Sequence, residues 1–170
     1  MNIKYFVLLL LTGSFTFSFF QIEDETDVTT FILVRHAEKL DDSHDPELSV
    51  EGYERATRLA EMFERVRFDA VYSTELIRTM ETARGIAEQN EISISEYDHR
   101  EPGLEVERWL KNHKGHTVLI SGHSNSTPTF ANELLGKEHF EGKFDESDYG
   151  NLLIVTIPAD GAPVLLHLRY

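Results

Sequence analysis

The sequence predicts an α/β fold, in which strands and helices alternate along the chain. Residues 31–34 form a short apolar run that stops abruptly at Arg35 and His36, as expected for a buried strand with polar side chains at its carboxyl end. A second such run, residues 117–120, is followed closely by His123. Segments with apolar residues at helical spacing lie between the two. Because ligands bind at the carboxyl ends of strands in open α/β sheets, the two histidines predict a functional site at that edge.

The remaining elements follow in chain order. Strands are predicted at residues 29–34, 68–72, 92–97 and 117–120. Helices are predicted after Ser49, which is a good N-cap, around Arg78, around Trp109, and over residues 127–135, where Pro128 suits the first turn. Residues 151–157 and 164–168 are predicted to pair as a hairpin that closes the sheet.

Length and composition predict one domain and exclude several classes of partner. A chain of 170 residues has room for one domain with one core. Its net charge of −14 disfavours nucleic acid and anionic membranes as partners, so an anionic substrate must be held by a local basic cluster. The absence of cysteine excludes disulfides and thiolate ligands, and none of the eight histidines has the spacing of a metal motif. We therefore predict no metal and no cofactor.

The N-terminus predicts export. Residues 1–20 combine the basic Lys4 with an apolar stretch, the pattern of a secretory signal, and polar interruptions make the stretch too short for a membrane span. Cleavage near Ser18, or retention as an uncleaved anchor, are both open. Residues 21–28 form an acidic spacer and residues 29–170 the domain. The expected location is the periplasm or the extracellular space.

The residue types at the predicted site indicate phosphoryl chemistry. Histidine can attack an electrophilic centre covalently. Arginine presents a planar fork of donors that matches phosphate oxygens. His36 beside Arg35 therefore indicates a nucleophile next to a group that holds an anion.

Four segments resemble, in the same order, the motifs of the histidine phosphatase (phosphoglycerate mutase-like) superfamily. They are residues 33–39 (Leu-Val-Arg-His-Ala-Glu-Lys), 48–52 (Leu-Ser-Val-Glu-Gly), 71–83 (Val-Tyr-Ser-Thr-Glu-Leu-Ile-Arg-Thr-Met-Glu-Thr-Ala) and 122–124 (Gly-His-Ser). The resemblance extends from about residue 31 to the C-terminus, without large insertions. It implies the short single-domain branch of the family, with a three-layer α/β/α fold and a mostly parallel central sheet.

The resemblance also implies an activity and a set of site residues. The activity is a metal-independent phosphatase acting through a phosphohistidine intermediate on His36, with a small phosphorylated compound or a phosphoprotein as substrate. The residues that would hold the phosphoryl oxygens are Arg35, Arg78 and His123. Lys39 and Ser124 are predicted as further substrate contacts.

A carboxylic acid is needed to protonate the leaving group of a phosphomonoester. The family often takes it from a glutamate after the third strand, and Glu101 lies in the corresponding turn. We favour Glu101, while Asp98 and Glu105 in the same region remain open.

Two other functions compete with this interpretation. Residues 122–126 (Gly-His-Ser-Asn-Ser) approximate the G-x-S-x-G elbow of α/β-hydrolases, with Ser124 as nucleophile and Asp148 and His167 downstream in the expected order. That pattern would indicate a serine esterase, although Ser126 stands where the elbow requires glycine. The other alternative is a phospho-ligand binder of the same fold that retains the pocket without catalysis.

Overall fold

A computed structural model describes residues 28–170, which form one six-stranded sheet flanked by four helices. The elements in chain order are β1 (Thr29–Arg35), α1 (Val50–Met62), β2 (Ala70–Ser73), α2 (Ile77–Gln89), β3 (Ile94–Glu96), α3 (Pro102–Asn112), β4 (Thr117–Gly122), α4 (Ser126–Leu135), β5 (Asn151–Ile157) and β6 (Val164–Arg169). The strand order in the sheet is β3-β2-β4-β1-β5-β6. The first three pairings are parallel and the last two antiparallel, so the predicted mostly parallel sheet is confirmed.

The central strand β1 shows why the helices occupy both faces of the sheet. Its buried residues alternate: Phe31 and Leu33 pack in a core with residues of α3 and α4, whereas Ile32 and Val34 pack with residues of α1 and α2. Successive side chains of a strand point to opposite faces, and burying each of these stabilises the fold by about 1.5–3 kcal/mol. The predicted three-layer arrangement is confirmed.

The predicted hairpin at the C-terminus is also confirmed, since β5 pairs antiparallel with β6. Strand β3 is shorter than the predicted residues 92–97. At its start, the Ile92 N–H is hydrogen-bonded to the carbonyl oxygen of Ala87 and closes the end of α2. At its end, the Asp98 N–H is bonded to the Glu105 carboxylate. Hydrogen bonds to α2 before the strand and to α3 after it thus limit β3 to three residues.

Among residues 28–170, no helix is long and apolar enough to cross a membrane. The predicted signal over residues 1–20 and most of the predicted spacer lie outside the described residues. Export therefore stays a prediction. It would be tested by N-terminal sequencing of protein recovered from the envelope fraction of a bacterial host.

The segment 48–52 joins α1 to the loop that follows β1. Ser49 caps α1, as predicted, because its Oγ accepts a hydrogen bond from the Gly52 N–H at 3.2 Å. The Ser49 N–H in turn donates to the carbonyl oxygen of Glu38 at 2.9 Å. A Cβ atom on Gly52 would lie 2.3 Å from that same carbonyl oxygen. The glycine is therefore required by the close approach of two backbone segments.

We expect Gly52→Ala to lower the free energy of unfolding by about 1–3 kcal/mol, the usual effect of forcing an extra carbon into a packed site. Gly103→Ala is a matched control, because a Cβ there would meet nothing closer than Glu133 Oε2 at 3.8 Å. Urea denaturation followed by circular dichroism measures both. Equal stabilities of the two variants would contradict this explanation of the motif.

Candidate active site

The pairing of β1 with β4 brings the two predicted histidines together. These strands are parallel, and Arg35 lies opposite Gly122 in the register. The His36 N–H continues the ladder by donating to the Gly122 carbonyl oxygen at 2.8 Å. The next residue after each strand is thus a histidine at the same sheet edge. The ring centroids of His36 and His123 are 5.5 Å apart.

A cavity of about 310 Å³ opens at this edge. Six of the seven predicted site residues line it: Arg35, His36, Lys39, Arg78, His123 and Ser124. The other lining residues are Leu76, His99, Asn125 and Glu146. Glu101 is not among them. The structure therefore brings the predicted cations and histidines together but leaves the favoured proton donor outside the cavity.

His36 is positioned as a neutral imidazole with one free nitrogen. Its Nδ1 lies 2.7 Å from the carbonyl oxygen of Ala37. A carbonyl oxygen can only accept, so Nδ1 carries the proton and the lone pair is on Nε2. Burial, reinforced by the charges of Arg35 and Arg78, lowers the pKa of His36 to about 4 despite the opposing effect of the Ala37 bond. His36 is therefore uncharged at neutral pH.

His123 is also neutral. Its Nε2 lies 3.1 Å from Thr74 Oγ1, and its backbone N–H donates to Ser126 Oγ at 2.9 Å. Burial lowers the pKa of His123 to about 3, and the nearby His36 and Arg78 act in the same direction. An uncharged ring beside guanidinium groups avoids like-charge repulsion and can still offer a hydrogen bond.

Arg35 is almost completely buried, with 1% of its surface exposed. Its Nη1 donates to the carbonyl oxygens of Asp145, Glu146 and Asp148 at 2.9–3.3 Å. Its Cζ lies 4.1 Å from the ring centroid of Tyr149. Arg35 therefore anchors the loop before β5, a role the sequence did not predict. Its Nε is buried and has no hydrogen-bond partner among the described residues, so this donor is available to a ligand.

Arg78 is held less firmly. It lies in the first turn of α2, and its Nη1 donates to the His44 carbonyl oxygen at 3.4 Å and faces Asp45 Oδ1 at 3.7 Å. Its Nε is buried without a partner in the described part of the chain. Burial lowers the pKa of Arg78, Asp45 opposes that effect, and Arg35 adds to it. An oxyanion in the cavity would satisfy the unpartnered donor and offset the repulsion between the two arginines.

Each cation of the cavity has a carboxylate partner from a flanking loop. The three pairs are Lys39 with Asp42 at 2.9 Å, Arg78 with Asp45 at 3.7 Å, and Arg35 with Glu146 at 2.9 Å. Of these carboxylates only Glu146 lines the cavity. Its other oxygen accepts from Ser124 Oγ at 2.8 Å and from Lys143 at 3.1 Å. Glu146 thus occupies two donors that the sequence assigned to the substrate.

We expect Glu146→Gln to tighten the binding of inorganic phosphate roughly two- to fivefold, because removing the charge frees Arg35 and Ser124 for the anion. The range follows from the ~1 kcal/mol or less that a partly exposed ion pair contributes. Isothermal titration of phosphate measures the effect. Glu141→Gln, an exposed change in the same loop region, controls for net charge.

An equal gain in both variants would show that only long-range charge matters. Weaker phosphate binding in Glu146→Gln would mean that Glu146 assists the ligand instead of competing with it.

The three candidate acids lie at different places around the turn after β3. Glu101 is the exposed N-cap residue of α3 and its side chain makes no capping bond. Asp98 is held by Arg100, whose Nε and Nη2 donate to the two carboxylate oxygens at 2.8 and 2.7 Å, and these bonds lower the pKa of Asp98 to about 2. Glu105 is buried, accepts from the Asp98 N–H at 3.1 Å and pairs with Arg108.

The side chains of the alternative serine esterase site are bonded to other groups. Ser124 donates to Glu146, Asp148 pairs with Arg169 at 2.7 Å, and His167 Nε2 lies 2.8 Å from Asn151 Oδ1. A nucleophile, a base and an orienting acid must be linked by hydrogen bonds to act together. The structure does not link these three.

Among the described residues, no three His, Asp or Glu side chains converge as a metal ion requires.

The fold and the cavity define an α/β protein with a cationic site built around two neutral histidines. Residues 31–100 match the model of the histidine phosphatase superfamily (branch 1). The match confirms the predicted resemblance over this stretch, which contains the first three of the four sequence motifs.

Several solved structures share the fold. A phosphoserine phosphatase from Entamoeba histolytica, in complex with 3-phosphoglyceric acid, is 19% identical with a TM-score of 0.63; the match covers 84% of this chain and 97% of that one. The protein histidine phosphatase SixA, complexed with tungstate, is 15% identical with a TM-score of 0.63 and coverages of 82% and 96%. A mycobacterial glucosyl-3-phosphoglycerate phosphatase is 13% identical with a TM-score of 0.62 and coverages of 76% and 90%. No curated protein matches the chain in sequence.

Proposed function

We propose that this protein is a phosphatase that hydrolyses phosphomonoesters or phosphohistidine through a phosphohistidine intermediate on His36. The observation that carries the proposal is a neutral imidazole with a free Nε2, in one cavity with two guanidinium groups and a second neutral imidazole. The match of residues 31–100 to the histidine phosphatase model supports a hydrolase of this class. The named neighbours are phosphatases for phosphoserine, protein histidine and a phosphorylated glycerate derivative, which supports a small phosphorylated substrate or a phosphoprotein.

The proposed reaction has two steps. The His36 Nε2 attacks phosphorus, the bond from phosphorus to the leaving group breaks, and water then releases phosphate from His36. The transition state for phosphoryl transfer is loose and carries its charge on the equatorial oxygens, so catalysis consists mostly of positioning and electrostatic stabilisation. Arg35 Nε, Arg78 and His123 are the donors proposed to hold these oxygens. Lys39 and Ser124 are proposed at the rim of the same cavity.

The test is turnover of p-nitrophenyl phosphate by protein lacking residues 1–27, with and without EDTA. We expect hydrolysis that the chelator does not change, because none of the proposed steps uses a metal. Tight phosphate binding without turnover would instead favour the non-catalytic phospho-ligand binder. If p-nitrophenyl phosphate is hydrolysed, a panel of sugar phosphates, phosphopeptides and phosphohistidine would identify the class of substrate.

A further inference from the structure

A third histidine lies beside the pair already described. His99 follows β3 in the turn that leads to α3, and its ring centroid is 5.5 Å from that of His123. The separation of His36 from His123 is also 5.5 Å, with His123 in contact with both of the others. His99 is half-buried. Within residues 28–170, no hydrogen bond engages its ring nitrogens.

His99 also marks the junction of two cavities. The first, which contains His36, is described above. The second has a volume of about 350 Å³ and is lined by residues of the β2–α2 and β3–α3 connections: Thr74, Glu75, Leu76, Glu96, Tyr97, Asp98, His99, Arg100 and Glu105. Leu76 and His99 line both.

The two cavities suit the two parts of a phosphate ester. Arg35, Lys39 and Arg78 line the first cavity, where the phosphoryl group would bind, and the second cavity can accept the leaving group. The bond that breaks joins these two parts, so it would lie near their junction. A group that protonates the leaving oxygen must be within hydrogen-bond reach of that point in the complex.

None of the four carboxylates that line the second cavity also lines the first, and two of them, Asp98 and Glu105, are already engaged as acceptors. Both oxygens of Asp98 accept from Arg100. Glu105 accepts from the Asp98 N–H on one oxygen and pairs with Arg108 through the other. An acid that donates must carry its own O–H, which would oppose these donors. Glu101 lines neither cavity. His99 is the remaining titratable group that lines both.

We propose that His99 is the catalytic proton donor to the leaving group, an assignment that rests on the proposed phosphatase function. In the first step the protonated His99 ring gives its proton to the leaving oxygen as the phosphorus–oxygen bond breaks and the His36 Nε2–phosphorus bond forms. In the second step the neutral His99 takes a proton from the attacking water. The phosphorus–nitrogen bond breaks, its electron pair returns to His36 Nε2, and His99 is protonated again for the next cycle.

The experiment is a series of aryl phosphates with leaving groups of graded acidity, assayed with wild type, His99→Gln, His99→Asn and Glu101→Gln. For both His99 variants we expect kcat/KM to fall about 10²-fold on the poorest leaving groups, within the usual range for general acid catalysis. On 2,4-dinitrophenyl phosphate, which needs no proton, kcat/KM should change less than about threefold. The slope of log kcat/KM against leaving-group pKa should therefore become steeper.

A second expected result, the amount of phosphohistidine present during turnover, separates a catalytic role of His99 from a purely structural one. Because His99 also assists the water step, His99→Gln quenched with sodium dodecyl sulfate at neutral pH should contain more phosphohistidine than wild type during turnover of 2,4-dinitrophenyl phosphate. His139→Gln, an exposed change that lines neither cavity, should match wild type throughout. Urea denaturation confirms that each variant is folded.

A uniform loss across the series, or none, would overturn the assignment of His99. The steeper slope in Glu101→Gln alone would assign the role to Glu101. These outcomes leave wild-type turnover and labelling of His36 intact. If the wild-type protein showed neither turnover nor labelling of His36, the proposed function would be overturned, and the assignment of His99 with it.

Discussion

His36→Ala is expected to abolish phosphatase turnover, with a loss of at least about 10⁴-fold, because both steps of the proposed route run through the His36 imidazole. The tautomer fixed by the Ala37 carbonyl leaves the His36 Nε2 lone pair free, and truncation to alanine removes it. The fold should persist, since the backbone bond from the His36 N–H to Gly122 does not involve the side chain. Initial rates with p-nitrophenyl phosphate, and circular dichroism of the variant, measure the two expectations.

Labelling with ³²P-labelled substrate, quenched with sodium dodecyl sulfate at neutral pH, gives an independent check on the nucleophile. The label should be acid-labile and should map to His36 in wild type and be absent from His36→Ala. A label on Ser124 would replace the proposed mechanism with the serine elbow. Labelling of neither residue, together with turnover, would exclude a covalent route.

The same histidine predicts the acid limb of the pH profile. Protonation removes the nucleophilic lone pair, and burial holds the pKa of His36 at about 4. The acid limb of the kcat/KM profile reports the pKa of the essential group in the free enzyme. With 2,4-dinitrophenyl phosphate, whose leaving group needs no proton from His99, and after correction for the ionisation of the substrate, kcat/KM should stay level from neutral pH down to about pH 5 and fall below it. A decline centred near pH 6.5 would indicate a histidine in an ordinary environment.

Much of the fold and part of the site could be predicted because the relevant signals are local in sequence. The apolar run before Arg35 and the similar run before Gly122 each predict a strand, and a parallel register then places His36 beside His123. The helix cap at Ser49 could be predicted for the same reason, because the serine and the helix that it caps are adjacent in the sequence. The motif glycine, Gly52, was recognised only by resemblance; its cause, contact with the Glu38 carbonyl, required coordinates.

The contacts that could not be predicted join residues far apart in the chain. Arg35 bonds the carbonyl oxygens of a loop more than a hundred residues later, and no side-chain pattern encodes backbone acceptors. Glu146 lies in the same loop, where the sequence shows neither helical nor strand periodicity. Nothing in the sequence therefore distinguishes it from the other acidic surface residues. His99 resembled a polar turn residue. Its position between two cavities follows from where the turn after β3 packs against His123.

Arg78→Ala is expected to lower kcat about 10²- to 10³-fold, the usual effect of removing one donor that meets charge developing in the transition state. Binding of product phosphate should weaken less, by about tenfold or below, because the ground-state anion retains Arg35 and Lys39. The geometry supports this difference: the buried Arg78 Nε has no hydrogen-bond partner among residues 28–170, and the contacts of Arg78 Nη1 to His44 and Asp45 are long, at 3.4 and 3.7 Å. Initial rates and isothermal titration of phosphate measure the two quantities.

Arg84→Ala on the same helix is the matched control, since the Arg84 side chain is half exposed and pairs with Glu81. It should leave both quantities unchanged. Arg78→Lys separates charge from geometry: lysine keeps the positive charge but lacks the planar fork, so we expect it to restore phosphate binding more fully than kcat. Equal losses of kcat and phosphate affinity in Arg78→Ala would mean that Arg78 only binds. Unchanged kinetics would remove Arg78 from the site.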